Sequence, residues 1–260
     1  MKKFFALMLC IVMALSLVGC GSKEPATDSE YVKANGKLVV GITDFAPMDY
    51  QDASGEWIGF DADMAKAFAE SLGVEVEFVE IDWDNKELEL DGKSIDCVWN
   101  GMTLTDEVKS AMACSKPYCN NAQIVIVPAA VADQYQTKDD LGDLAFAVEV
   151  GSAGKLAAEA EGFQFTEVEN QAAALMEVAA GTSDAAIIDS LMAAAMVGEG
   201  TGYADLTYTV ELTAEEYAVG FRTGSDLAGL LDAFLDSAYA DGSLLKCAET
   251  YGVQAALIAR

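Results

Sequence analysis

Asp189 and Asp44 are the acidic residues of this sequence that are best placed to bind a small charged molecule. Asp189 ends an apolar run, and Asp44 follows the apolar stretch 37–43. A carboxylate in such a position can accept charge-assisted hydrogen bonds from an ammonium group. Asp189 is also a plausible N-cap for a helix predicted from Ser190, and the two roles are compatible.

Two short loops could supply further polar contacts. A turn at 100–103 follows a predicted strand, and its backbone groups and threonine hydroxyl could bind the polar ends of a small molecule, with a plain turn as the alternative. A second loop at 151–154 precedes a predicted helix, whose unpaired N–H groups favour an anion such as a carboxylate. The Gly154-Lys155 pair lacks the spacing of a phosphate-binding loop. The predicted binding residues in these loops are Asn100, Gly101, Met102, Thr103, Ser152 and Ala153.

Two aromatic residues are candidates for the wall of the same site. Trp83 follows a predicted strand and could cover an aliphatic stem or a cation, with Phe45 facing it from the first loop. A core position is the alternative for both residues, since tryptophan more often packs in the interior.

The composition excludes several classes of protein. The formal net charge is −28, so the chain repels nucleic acid, which is bound mainly by lysine and arginine on phosphates. The sequence has no histidine and no cysteine spacing typical of zinc, so we expect no metal and no cofactor. Pairing of Cys114 with Cys119 is one possibility, and buried thiols at these two positions, Cys97 and Cys247 are the alternative.

The chain must position these residues on alternating strands and helices. Apolar strand-like runs alternate with helical stretches along the whole body, which predicts an α/β fold with mostly parallel sheets covered by helices. In such sheets, ligands bind beyond the carboxyl ends of the strands, where the candidate residues fall. One predicted helix follows Gly59, with Asp61 as its N-cap and Gly73 at its end.

The N-terminal residues predict export. Lys2 and Lys3 precede an apolar run that ends at Gly19-Cys20, which is typical of a signal peptide over 1–19. The ending resembles a bacterial lipoprotein signal, and that resemblance implies a lipid on Cys20. An ordinary signal peptide with a chance cysteine is the alternative. Residues 20–36 are small and polar, so we expect them to be the acylated cysteine and a flexible tether.

The order of the later segments resembles the amino-acid-binding solute receptors of ABC importers, a family with a two-lobed periplasmic-binding-protein-like (type II) fold. No single piece is specific, but the ordered set covers the chain after the tether. The pieces are Leu38-Val-Val-Gly-Ile-Thr-Asp44, Gly59-Phe-Asp-Ala-Asp-Met-Ala-Lys66, Asn100-Gly-Met-Thr-Leu-Thr105, Ser115-Lys-Pro-Tyr118, Leu144-Ala-Phe-Ala-Val-Glu-Val-Gly-Ser152 and Ser183-Asp-Ala-Ala-Ile-Ile-Asp189.

The resemblance implies a fold and a function. Lobe one would comprise 37–127 and 219–260, lobe two 128–218, with chain crossings near 125–130 and 216–220. The protein would be a monomer that captures a small polar solute, foremost an amino acid, through the residues named above. It would deliver this solute to ABC permease subunits, contact the membrane only through its lipid and remain outside the cytoplasm.

One position departs from the family pattern. The family places an arginine that binds the ligand carboxylate in the helix after the threonine-rich loop, and Val108 stands there. Either N–H groups near Gly151 and Thr103 hold the carboxylate, together with a lysine such as Lys86 or Lys109, or the ligand is not a standard α-amino acid.

Two other functions remain open from the sequence. A few relatives on this scaffold are dehydratases, but the chain lacks histidine and the Gly-x-Ser-x-Gly elbow, so we expect no enzyme. A ligand-sensing module for a signalling partner is the other alternative, although such modules usually carry an output segment.

Overall fold

The computed structural model describes residues 26–260, so the predicted signal peptide, Cys20 and the first part of the tether lie outside the described residues. The described chain forms two lobes, each around a five-stranded sheet, with a small two-stranded sheet beside them. The strands are β1 (Lys37–Ile42), β2 (Tyr50–Gln51), β3 (Trp57–Ile58), β4 (Glu75–Glu80), β5 (Cys97–Val98), β6 (Ala113–Cys114), β7 (Cys119–Pro128), β8 (Ala145–Glu149), β9 (Gln164–Val168), β10 (Ala185–Asp189), β11 (Leu206–Tyr217) and β12 (Gly220–Phe221). The α-helices are α1 (Asp28–Asn35), α2 (Phe60–Leu72), α3 (Lys86–Asp91), α4 (Asp106–Ala111), α5 (Ala153–Glu161), α6 (Gln171–Ala180), α7 (Ser190–Met196), α8 (Leu227–Asp241) and α9 (Ser243–Tyr251).

The two large sheets are mixed, whereas the sequence predicted mostly parallel ones. In the order β4-β1-β5-β12-β6, the pairs that include β1 are parallel and the pairs that include β12 are antiparallel. In the order β11-β7-β10-β8-β9, the pairs that include β8 are parallel and those that include β7 are antiparallel. The antiparallel pairs involve the strands next to the crossings between the lobes: β7 enters the second sheet, and β12, which follows the return crossing, enters the first. The two-lobed α/β fold is confirmed.

The first crossing lies earlier in the chain than predicted. Residues 123–126 of β7 already pair with β10 in the second sheet, so they do not belong to lobe one. The start of β7 pairs with the end of β11, with Cys119 opposite Tyr217. The hinge is therefore an antiparallel ribbon of two strands, and its side chains Asn121 and Gln123 donate to Asp189 and Glu215.

The predicted tether contains a docked helix. Thr27 caps α1 by accepting a hydrogen bond from the N–H of Glu30, and Gly36 ends the helix with a left-handed φ of 74°. The hydroxyl of Ser29 donates to Asp226 at 2.6 Å, so α1 is fixed to lobe one. The prediction of a flexible segment is wrong for these residues, because local capping and a distant carboxylate stabilise a helix of polar composition.

Helix α2 provides the apolar support under the first lobe. Phe60, Met64 and Phe68 recur on one face and are buried, and Phe68 meets Trp99 edge to face at 6.3 Å. The predicted N-cap, Asp61, lies inside this helix and Gly59 occupies the cap position instead. The Asp61 side chain is fully buried and serves the site described below. Within residues 26–260, no helix has the length and apolar character needed to cross a membrane.

Candidate functional site

A cavity of about 290 Å³ lies between the lobes, at the carboxyl ends of the central strands. Its size suits a small molecule rather than a macromolecular segment. All ten predicted binding residues line this one cavity, and their role in binding stays a prediction. Lobe one contributes Asp44, Phe45, Trp83, Asn100, Gly101, Met102 and Thr103, and lobe two contributes Ser152, Ala153 and Asp189.

Asn100 fixes the floor of the cavity in lobe one. Its side-chain oxygen accepts from the N–H of Thr43 at 2.8 Å and from the Thr43 hydroxyl at 2.7 Å. Its amide donates to the Thr43 carbonyl at 3.2 Å and to Asp49 at 2.7 Å. The side chain of Asn100 is therefore occupied in joining the ends of β1 and β5.

Gly101 occupies a position that a larger residue would not tolerate. Its φ is 54°, and a Cβ atom there would lie 2.3 Å from the ring of Phe45. Its N–H donates to Asp61 at 2.7 Å, and the Tyr118 hydroxyl donates to the same carboxyl oxygen at 2.6 Å. Burial raises the pKa of Asp61 to about 7. The loop at 100–103 is thus held from below by a buried acid that the sequence reading assigned to a helix cap.

Asp189 lies in a dense set of hydrogen bonds on the lobe-two side. Its carboxylate accepts from the amides of Asn121 at 2.5 Å, Gln171 at 2.5 Å and Gln123. Burial and then the nearby carboxylate of Glu215 raise the pKa of Asp189. It occupies the N-cap position of α7 but makes no side-chain cap bond, so its oxygens face the cavity and these amides.

Glu215 connects this carboxylate to the opposite lobe. It lies on the crossing strand β11, and one of its oxygens accepts from Asn121 at 2.7 Å and from Gln123 at 2.8 Å. The same oxygen accepts from the hydroxyl of Thr103 at 2.7 Å. Thr103 is the lobe-one end of this chain of bonds. The predicted residues Thr103 and Asp189 therefore act on one network that runs through the hinge.

Glu149 is a second buried acid on the cavity. It ends β8, is only 4% exposed, and its Oε1 has no hydrogen-bond partner among the described residues. Burial raises the pKa of Glu149 to about 8, although the nearby side-chain amide of Gln171 and the charge of Lys86 both lower it. A buried oxygen without a partner at a cavity is well placed to receive a donor from a ligand.

Trp83 and Lys86 bring the lobes into contact. The ammonium of Lys86 lies 4.9 Å from the centre of the Trp83 ring and donates to the Trp83 carbonyl at 3.1 Å. It also donates across the cleft to the Gly151 carbonyl at 3.1 Å. A Cβ atom on Gly151 would lie 2.6 Å from a carboxyl oxygen of Asp84, which shows how closely the two lobes approach.

The loop that contains Ser152 and Ala153 begins α5. The Ser152 hydroxyl accepts from the N–H of Lys155 at 3.1 Å and so caps the helix. The Lys155 ammonium pairs with Glu167 at 3.1 Å. One N–H of the first turn is therefore already hydrogen-bonded, so fewer N–H groups at the helix start can bind an anion than the sequence predicted.

Val108 is an apolar residue on the wall of the cavity. It lines the cavity from α4, is 5% exposed, and packs in an apolar cluster with Trp83, Met102 and Met112. Within residues 26–260, neither arginine reaches the cavity, because Arg222 binds Asp28 and Asp96 while Arg260 binds Asp236. The charged residues on the cavity are instead seven acids and two lysines: Asp44, Asp84, Glu87, Glu107, Glu149, Glu159, Asp189, Lys86 and Lys155.

Sequence reasoning missed the residues that complete the network. Gln171 and Gln123 give no signal in the sequence, because their roles depend on strands and helices far apart in the chain. Glu149 had a signal, since it ends a buried apolar strand as Asp189 does. Within the described residues, the four cysteines are unpaired, and no group of three histidine, cysteine or acidic residues is arranged to hold a metal ion.

The fold and the cleft define a two-lobed solute receptor, and comparison with known proteins agrees. The family model for bacterial extracellular solute-binding proteins, family 3, matches residues 38–254. The chain belongs to this family.

Individual relatives share most of their length with the chain. It is 29% identical over 256 residues to the arginine-binding extracellular protein ArtP of Bacillus subtilis, covering 95% of this chain and 96% of that protein. A mutant of ArgBP from T. maritima has a TM-score of 0.80 and 30% identity, with 86% of this chain and 98% of that chain covered. The ancestral amino-acid-binding protein AncCDT-1, a precursor of cyclohexadienyl dehydratase, has a TM-score of 0.78 and 32% identity, with 86% and 98% covered.

Proposed function

We propose that the protein captures a small ammonium-bearing solute of the amino-acid class in the interlobe cleft and delivers it to an ABC permease. We use the class to include amino acids and the amines derived from them. The carboxylate of Asp189 carries this proposal, because it is buried at the cavity and no cation of the described residues neutralises it. The names of the relatives as amino-acid-binding proteins support the same class.

We further propose that the cleft binds without catalysis and that the protein works outside the cytoplasm, attached to the membrane through a lipid on Cys20. The relatives reported above are binding proteins, and one is also an ancestor of an enzyme. The small polar stretch after Cys20 would separate the lipid from helix α1.

A thermal-shift screen tests capture directly. The purified protein is unfolded, refolded to remove carried-over ligand, and mixed with each standard amino acid and with a panel of small amines. A ligand at 100 times its dissociation constant stabilises the protein by about 2.7 kcal/mol, so its melting temperature rises visibly. We expect one compound or a small group to do so.

Asp189→Asn provides the matched test of the site. This variant keeps the shape of the side chain and removes the charge, so the shift should shrink for the same compounds. Glu249→Gln is the control, because Glu249 is exposed on the last helix, away from the cleft. If no amino acid or amine shifts the wild type, or if Asp189→Asn leaves the shift unchanged, the proposal fails.

A further inference from the structure

The cavity lacks the charges that an α-amino acid requires. Such a ligand brings one ammonium and one carboxylate, and each needs a partner once it leaves water. The lobe-one wall where a cation would meet the carboxylate is apolar, with Val108 packed against Met102 and Met112. Seven acidic side chains and two lysines line the same space, and the buried members of this set are Glu149, Asp189 and Lys86. A ligand carboxylate would therefore meet more acidic than basic groups in the cavity.

The two lysines are engaged elsewhere. Lys155 pairs with Glu167 at 3.1 Å, outside the cavity lining. The Lys86 ammonium donates to the carbonyls of Trp83 and Gly151, and burial lowers its pKa. These bonds close the lobes on each other, so Lys86 has a structural task in the conformation that encloses the cavity.

The acids are arranged as a receptor for a cation. Gln171 donates to Asp189 at 2.5 Å, and Glu149 ends β8, which pairs in parallel with β10, the strand that Asp189 ends. The two carboxyl groups therefore lie at neighbouring strand ends on one cavity. Glu149 Oε1 is buried without a partner among the described residues, whereas the oxygens of Asp189 already accept three amide bonds.

We propose that Glu149 and Asp189 together bind the ammonium group of a small organic amine that carries no carboxylate. This inference rests on the proposed function and narrows it to one part of the ligand class. An ammonium has three donors, which can reach the unpartnered oxygen of Glu149 and the one acceptor position that three amide bonds leave on Asp189. Burial raises the pKa of Glu149 to about 8 in the unliganded protein, and the bound cation would lower this pKa, so binding at neutral pH should release a proton from Glu149. The ligand would leave no uncompensated negative charge beside Val108.

The start of α5 is the main group that could oppose this inference. Its N–H groups favour an anion, and they lie on the same cavity through Ser152 and Ala153. However, the Ser152 hydroxyl already accepts from the N–H of Lys155, so the first turn of this helix is only partly available to an anion. The carboxyl group of Glu149 also lies on the cavity, four residues before Ala153, the first residue of the helix.

Calorimetry with matched pairs of ligands tests the inference on the unmodified protein. Each pair differs only by the carboxylate: lysine and cadaverine, ornithine and putrescine, arginine and agmatine, histidine and histamine. We expect the amine of at least one pair to bind at least tenfold more tightly than its amino acid. If the amino acid binds more tightly in every pair that binds, the inference is overturned while the proposed function stands. If no amino acid or amine binds at all, both are overturned.

Two substitutions test separately the acid that binds the ammonium group and the apolar wall that disfavours a ligand carboxylate. Glu149→Gln should weaken binding of the amine at least tenfold, while Glu249→Gln should bind it as the wild type does. Val108→Arg should shift preference towards the amino acid of the pair, because it restores a cation to the lobe-one wall. Circular dichroism of Glu149→Gln confirms that the variant is folded. An unchanged amine affinity in folded Glu149→Gln would overturn the assignment of this residue.

Discussion

The ionisation of Glu149 should control how the stability of the unliganded protein depends on pH. Its side chain is buried, and its pKa of about 8 lies well above the ordinary glutamate value of 4.5. Between these two values, the native state retains a proton that the unfolded state has released. The free energy of unfolding must therefore fall as the pH rises from about 4.5 to about 8, by up to about 1.4 kcal/mol per pH unit.

Glu149→Gln removes this pH-dependent loss of stability, because a side-chain amide does not ionise in this pH range. At low pH, where both states of the wild type are protonated, the two proteins should differ little. The variant should gain stability over the wild type as the pH rises, up to an upper bound of about 5 kcal/mol above pH 8. This bound already includes the effects of Gln171 and Lys86, both of which lower the pKa of Glu149.

Urea unfolding at pH 4.5, 6 and 8.5 measures the difference. Taking the variant minus the wild type cancels the titration of buried acids that do not interact with Glu149, such as Asp61, whereas the pKa of Asp189 should fall in the variant because the charge of Glu149 helps to raise it. Glu249→Gln provides the baseline for the same chemical change on the surface. A difference between Glu149→Gln and the wild type that is constant across the three values would refute the reasoning, because it would show that Glu149 ionises normally.

Three further substitutions test other contacts. Arg222→Ala should reduce the free energy of unfolding by about 3–5 kcal/mol in urea titrations, because it leaves the buried carboxylate of Asp96 without a cation; a loss below 1 kcal/mol would contradict this. Gly101→Ala should reduce the free energy of unfolding by about 1–2 kcal/mol because of its left-handed backbone alone. The added methyl group would clash with Phe45 and should therefore also weaken ligand binding in calorimetry. A free energy of unfolding equal to that of the wild type would contradict this prediction. Lys86→Met should make the unliganded protein more open, seen as a larger radius of gyration in X-ray scattering, because the bond across the cleft is lost; an unchanged radius would contradict it.

The residues that line the cavity could be predicted from the sequence better than the pairing of the strands. Strand ends can be recognised where apolar runs stop, which places Asp189 and the loop at 100–103 at strand ends, and the structure brings them to one cavity. The mixed sheets and the early crossing at β7 could not be read, because pairing partners are set by contacts between distant segments. The same apolar run at 123–127 would suit either lobe.

Residues that act through others were the hardest to predict. Asp61 has the type and position of a helix cap, and only the fold shows that its carboxyl group supports Gly101 and Tyr118. Gln171 begins a helix in the sequence and bonds to Asp189 only after lobe two has formed. The prediction that the segment around Ser29 is flexible was wrong for a similar reason, because its partner Asp226 lies 197 residues further along the chain.

The docking of α1 also determines where mechanical load enters the molecule. Asp28 binds Arg222 at 3.1 Å and Ser29 binds Asp226, and both partners lie in lobe one, just after β12. Any pull on the N-terminal segment is therefore resisted at this helix before it reaches the ribbon of β7 and β11. A force on the N-terminal segment would therefore pass into lobe one through these contacts, without acting directly on the ribbon or on lobe two.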